Sequence, residues 1–302
     1  MSSPPITFGK QPLPLPVIPA WRRWTKRVLG HHGLTLGAII LLVISVAALL
    51  APWIAPHDPY EQDVTRRMIP PVWYDKGSWE FILGTDKLGR DYLSRLLYGA
   101  RVSLIIGMAV TLISGVIGTT MGVLAGYFGG RVDAVVSYIL TVRLAMPVVL
   151  VALAMASLVG GSLNVVILLL GLLLWDRFAI VTRSATQQLR DAEFIAAAKS
   201  LGASTPYIVI RELLPNLLSA LLVVATLEMA HAILLESTLS FLGLGVQPPT
   251  PSWGLMVAEG KAYMFFQSWV ILIPGIVLAT LVLGINLLGD GLRDLTAPDG
   301  RN

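Results

Sequence analysis

A chain of 302 residues that is 55% hydrophobic and only 13% charged carries more apolar side chains than a soluble fold of this size needs. Its formal charge of +4 is modest, and five basic residues, Lys10, Arg22, Arg23, Lys26 and Arg27, precede the first apolar run, so the concentrated basic surface of a nucleic-acid binder is missing. The absence of cysteine excludes disulfides and thiolate metal sites.

Residues 1–33 read as a Pro-rich cytoplasmic tail. The apolar run that follows is too long for the core of a signal peptide and has no small-residue cleavage pattern after it, so it reads as a retained span. That first span, 34–54, is long enough for a hydrocarbon core of about 30 Å. The basic residues before it place the N-terminus in the cytoplasm.

Residues 55–100 are expected outside the membrane, where Asp86 would cap an amphipathic helix with a stripe of Leu88, Tyr92, Leu93, Leu96 and Leu97 and an i,i+4 pair of Asp91 with Arg95. The second span, 102–125, is rich in Gly, Ser and Thr, which permit close helix contact. In the third, 134–158, Pro147 predicts a kink and Arg143 a side chain that snorkels to the headgroups. The apolar centre of the fourth is 164–175, with Asp176 and Arg177 near its cytoplasmic end.

The fifth span, 213–235, holds Glu228 and His231 at i,i+3 on one face, with Glu236 two turns beyond Glu228. Ionisable groups in a span are costly unless they face the bundle interior or an aqueous path. These three, with Arg143, are therefore candidates for a translocation path or gate, beside a packing role, and Gln247 of the following segment is a further one. A Gly/Pro-rich external segment, 237–267, is expected to fold back over the bundle mouth, where Gln247 and Trp253 either touch substrate or receptor or serve as a structural cap. The last span, 268–288, has Pro274 and Gly275 as a kink, and six spans return the C-terminal tail, 291–302, to the cytoplasm.

Between the fourth and fifth spans lies the long polar interruption DAEFIAAAKSLGASTPYIVIRELLP, residues 191–215. It reads as a helix, a turn at Gly202 and a second short helix with Thr205 as N-cap and Pro206 at the first helical position, a unit suited to packing against another protein. No G-x-x-x-x-G-K-[S/T] phosphate loop occurs, nor an H-E-x-x-H or G-x-S-x-G arrangement. The chain therefore reads as non-catalytic, and uphill transport through it requires a partner or an ion gradient.

The polar interruption resembles the EAA loop of permease subunits of binding-protein-dependent ABC importers. LGTDKLGRDYLSRLLYGAR at 83–101 and FLGLGVQPPTPSWG at 241–254 resemble the C-type subunit of the dipeptide/oligopeptide/nickel permease family. The resemblance implies an all-α polytopic membrane protein with six transmembrane helices and MetI-like importer permease architecture, the core permease domain spanning 101–290. It implies ATPase docking through the loop 182–215, carried by Glu193, Ala197, Ala198, Gly202, Ala203, Glu212 and Pro215. It further implies no cofactor on this chain, ATP and Mg on two cytoplasmic ATPase subunits, a homologous B-type permease, an extracytoplasmic solute-binding protein and a small peptide cargo, in a bacterial inner membrane.

The sequence departs from the family pattern at Glu212, where an apolar residue is usual, at Thr141, where Asp is common, and at Ser252, where Glu is usual. Nickel or a metal chelate remains open as cargo because Glu228 and His231 supply carboxylate and imidazole. Glutathione and opines remain open too. A secondary transporter or channel is the reading from a different class, although Glu228 has no counterpart in the first half of the chain.

Overall fold

The computed structural model describes residues 30–296 and is all α-helical apart from turns and two isolated β-bridges. The basic N-terminal cluster and the last residues of the C-terminal tail lie outside the described residues. Helix α1 is His32–Ile54, α2 Tyr92–Phe128, α3 Gly130–Ala145, α4 Val148–Val159, α5 Leu163–Leu173 and α6 Asp176–Leu189. The short α7, Glu193–Ser200, leads through a one-turn helix and a wide turn into α8, Leu214–Phe241. Helices α9, Trp253–Gly260, and α10, Trp269–Thr296, complete the chain. Five helical units are long and apolar enough to cross a membrane, and the bent α3–α4 pair makes a sixth.

Helix α2 is the hub, touching α1, α3, α5, α6 and α8, while α10 closes the bundle against α1 and α8. Its intimacy with α6 has a simple cause. Gly118, Gly122 and Gly126 recur every fourth residue and so share one face. A Cβ on Gly126 would lie 2.7 Å from the Arg183 carbonyl oxygen, and one on Gly118 or Gly122 would meet the backbone of Trp175 or the hydroxyl of Thr182. The glycines let two backbones touch, as the small-residue composition of the second span predicts.

Several boundaries move. The second span starts at Tyr92 rather than 102, so the expected amphipathic helix is the first part of one 37-residue helix. Its cap is Asp91, whose Oδ2 accepts from the Ser94 N–H at 2.8 Å and the Ser94 hydroxyl at 2.6 Å. Asp86 is not the cap, and Arg95 does not pair with Asp91. Asp86 instead binds Arg90 and Arg95, both 1% exposed, and Glu259 from α9 lies 2.8 Å from Arg95 and 3.3 Å from Arg90. Two carboxylates and two guanidiniums thus neutralise one another out of water.

The third span breaks rather than kinks, with 83° between α3 and α4. Met146, before Pro147, is extended (φ −100°, ψ 124°), as the proline ring demands. The fourth span breaks as well, at Leu174 and Trp175, and continues as α6 to Leu189. Asp176 and Arg177 therefore sit at the break inside a 27-residue span, not at its cytoplasmic end. At the other end of the chain, α10 runs unbroken through Pro274. The His31 imidazole caps α1 through its Nδ1 and lies 2.9 Å from Asp294 through its Nε2, so the start of α1 and the end of α10 meet on one side of the bundle.

Candidate functional site

Two places combine exposure with polar chemistry: the unit after α6, and the level of the helix breaks. In the first, α7 folds back on the turn 208–213, and Ile195, Ile208 and Leu213 close a small core with Leu189, Ala198 and Tyr127 around it. Gly202 ends α7 with φ +80°, its N–H donating to the Lys199 carbonyl while Ala203 N–H donates to Ala198, the paired bonds of a left-handed C-terminal cap. The N-cap of the following turn is Ser204, not Thr205; Pro206 stands in its first turn, where a missing N–H costs nothing.

Glu193, Ala197, Gly202 and Pro215 are exposed and Ala198, Ala203 and Glu212 half-buried, so the expected docking residues share one compact unit with Leu201, 89% exposed, at its tip. Arg183, by contrast, belongs to the bundle, forked onto Asp133 of α3.

At the breaks, the α5 terminus frees the Leu173 carbonyl inside the membrane, and Arg143 binds it through Nε at 2.9 Å and Nη2 at 2.6 Å. Its guanidinium also lies 3.6 Å from Asp176. Arg143 therefore does not snorkel: an unsatisfied carbonyl in hydrocarbon costs more than bending the side chain inward to it. Arg177, the residue after Asp176, places its Nη1 3.1 Å from Glu228 of α8, which is 1% exposed and has His231 Nδ1 at 3.5 Å. Neither approach is aligned as a hydrogen bond. Arg177 is itself half-exposed, and a cation at this depth must face a partner or water rather than lipid.

A cleft of about 500 Å³ opens between α2, α6 and α8, lined by Thr111, Gly115, Thr119, Phe178, Leu221 and Ala225 among others. Leu221 and Ala225 lie seven and three residues before Glu228, on the same face of α8.

The remaining candidates part company. Glu236, 1% exposed, accepts from Ser240 at 2.8 Å and Ser252 at 3.0 Å, tying α8 to the start of α9. Gln247 turns its amide onto the carbonyls of Gly243 and Gly245, and Trp253 is buried with its indole N–H on the Leu96 carbonyl at 2.8 Å. Glu236 and Trp253 hold the segment down over α2 and α8, while the exposed Gln247 side chain braces only its own turn; the structure adds Arg177 to Glu228 and His231 as a path candidate. The sequence reading missed Arg177 because the break that brings it to Glu228 carries neither proline nor glycine at Leu174 and Trp175. Among the described residues no group of three or more His, Asp or Glu side chains is arranged to hold a metal.

A helical bundle with five or six apolar spans, two of them broken, a charged layer at the breaks and a compact unit beyond its end makes this a multi-pass membrane protein. Residues 118–301 match the family described as the inner membrane component of binding-protein-dependent transport systems, and the chain belongs to that family. Residues 20–71 match the N-terminal transmembrane domain of oligopeptide transport permease C. The chain is 36% identical to the dipeptide transport system permease protein DppC of Haemophilus influenzae over 99% of both chains. It is 37% identical to the di/tripeptide transport system permease protein DppC of Pseudomonas aeruginosa over 100% of this chain and 98% of that one. Its fold is similar to a chain of the inward-facing MetNI methionine ABC transporter, with TM-score 0.54 and 20% identity over 67% of this chain and 97% of that one.

Proposed function

We propose that this chain is one of two permease subunits of an ATP-driven importer that carries di- or oligopeptides across the cytoplasmic membrane. It works with a homologous B-type permease, two ATPase subunits that bind ATP and Mg, and an extracytoplasmic binding protein, and performs no covalent chemistry itself. Both termini and the unit 193–213 lie in the cytoplasm; the meeting of His31 with Asp294 supports an even number of crossings.

The observation that carries the reading is that unit, folded on its own core of Ile195, Ile208 and Leu213 with Leu201 and Gly202 presented at its tip. An ATPase gripping it pushes or pulls on α6 and α8, and the charged layer of Arg177, Glu228 and His231 is where the path opens and closes. Relatives in this family named for dipeptide and di/tripeptide transport support peptides as the cargo.

The test is Gly202→Val. A β-branched residue at φ +80° is strained by about 1–2 kcal/mol, although open space surrounds the site. The variant is expected to reach the membrane normally, lose co-purification with the ATPase and lose most peptide uptake. Normal co-purification with normal uptake counts against the docking role. Wild-type uptake of nickel, glutathione or an opine in preference to every di- and oligopeptide tried counts against the cargo.

A further inference from the structure

Residues 55–91 join α1 to α2 with little regular structure, yet they enclose a pocket of about 190 Å³ at the N-terminal end of α2, lined by His57, Asp58, Glu61, Asp63, Arg66 and Asp91 with Phe81 and Gly89. Four carboxylates face one guanidinium there. Arg66 is already held by Asp63 at 3.3 Å and by Glu80, and its guanidinium carbon sits 5.6 Å from the Phe81 ring. Asp58 and Glu61 have no basic partner among the described residues; the Asp58 carboxylate accepts only the Tyr60 N–H, at 2.8 Å. The Thr65 hydroxyl and N–H, with Arg66 a smaller influence, hold the Asp63 carboxyl below the usual carboxylate range, so its charge persists at neutral pH.

The floor of the pocket is Asp91, 2% exposed. One of its oxygens is spent on Ser94, while Oδ1 is buried with no hydrogen-bond partner. The nearest ring, His57, stacks on Phe81 at a centroid distance of 4.9 Å and holds its Nδ1 3.7 Å from Asp91, beyond a hydrogen bond. A buried carboxylate oxygen without a donor is costly, and a donor arriving from outside relieves that cost. A long basic side chain supplies it best, because it brings charge to a net-negative wall together with N–H groups that can reach the floor.

Beside the pocket a second depression of about 430 Å³ shares His57 and Asp58 and is otherwise lined by Pro52, Pro56, Pro59, Tyr60 and Tyr98 among others. A free ion leaves such a proline and tyrosine surface bare; a protein covers it, and aromatic rings around a basic anchor are what protein interfaces favour. We propose that the pocket is the socket for a lysine or arginine side chain of the extracytoplasmic binding protein. The proposal rests on the importer reading above, which supplies both the outward placement of 55–91 and the existence of that partner.

Because the chain has no cysteine, Glu61→Cys introduces its sole thiol, at an exposed pocket residue. A membrane-impermeant maleimide is expected to label this variant from outside, in spheroplasts where an outer membrane is present, and saturating cargo-loaded binding protein is expected to slow labelling roughly fivefold or more. Labelling only after permeabilisation overturns the orientation and with it the importer reading. Labelling that the binding protein does not slow overturns the socket alone. Equal protection by free arginine or spermine, without the binding protein, assigns the pocket to a small cation and also overturns the proposal.

In the intact complex in nanodiscs, Asp58→Asn with Glu61→Gln should raise the dissociation constant for the binding protein roughly fivefold or more at low salt, with the difference narrowing as salt screens the lost charges. An unchanged constant at low salt sinks the proposal. Asparagine keeps the acceptor for the Tyr60 N–H, so the turn itself survives.

Discussion

Glu228 is the side chain whose surroundings say most about what the bundle tolerates. A carboxylate at 1% exposure in the middle of a span is stable only while a cation covers it, and Arg177 provides that cover without a well-aligned hydrogen bond. The pair is therefore sensitive to which partner is removed. Arg177→Ala leaves a buried charge uncovered and should destabilise the complex by about 1–3 kcal/mol, toward the lower end because the guanidinium is half in solvent. Adding Glu228→Gln to that variant should recover most of the loss, since the amide needs no counter-charge. Thermal unfolding of the four variants in detergent measures the coupling, and strictly additive losses would falsify the pairing. The amino-acid pattern alone exposed Glu228 and His231, since ionisable residues three apart in an apolar run stand out; it could not expose Arg177, which comes from another helix.

At the scale of elements, what was legible followed from local chemistry and what was not came from contacts between helices. Glycine and serine in the second span announced close packing, and the Gly118, Gly122 and Gly126 face delivers it against α6. Replacing Gly122 with Leu should drive α2 and α6 apart, costing about 1–3 kcal/mol or abolishing assembly. Gly275→Ala, where no atom lies within 4 Å of the added methyl, should be neutral when both variants are compared by thermal unfolding and size-exclusion chromatography of the purified complex. Equal behaviour of the two variants would remove the packing argument.

The displacement of Asp86 from the cap has a related cause. An aspartate before an apolar stripe looks like a cap, but Asp91 stands closer to the first helical turn, and the distant Glu259 draws Arg90 and Arg95 into a shared cluster with Asp86. The arginines' second partner, Glu259, lies more than 160 residues away in the chain, where no spacing rule reaches.

For the whole molecule, the two broken spans matter because they meet. The α3–α4 bend follows from Pro147, but nothing in the apolar run of α5 foretells the interruption after Leu173, and only their junction explains Arg143. If an ATPase grips the unit beyond α6 as proposed, force applied there travels along a helix seated on α2 by bare backbone contact. It arrives at the break beside Asp176, where Arg143 bolts α3 to the freed Leu173 carbonyl and Arg177 covers Glu228. Switching between two packings requires such a junction to move as a body, or work done at one end is lost before it reaches the other.

Arg143→Met keeps much of the side-chain length and removes the donors. It should leave ATP hydrolysis stimulated by the binding protein near its normal rate while peptide uptake falls roughly tenfold, the signature of lost transmission rather than lost docking. Paired measurement in proteoliposomes separates the cases. If hydrolysis and uptake fall together, Arg143 serves assembly; if both stay normal, the carbonyl it holds needs no clamp, and transmission runs through the α2–α6 contact alone.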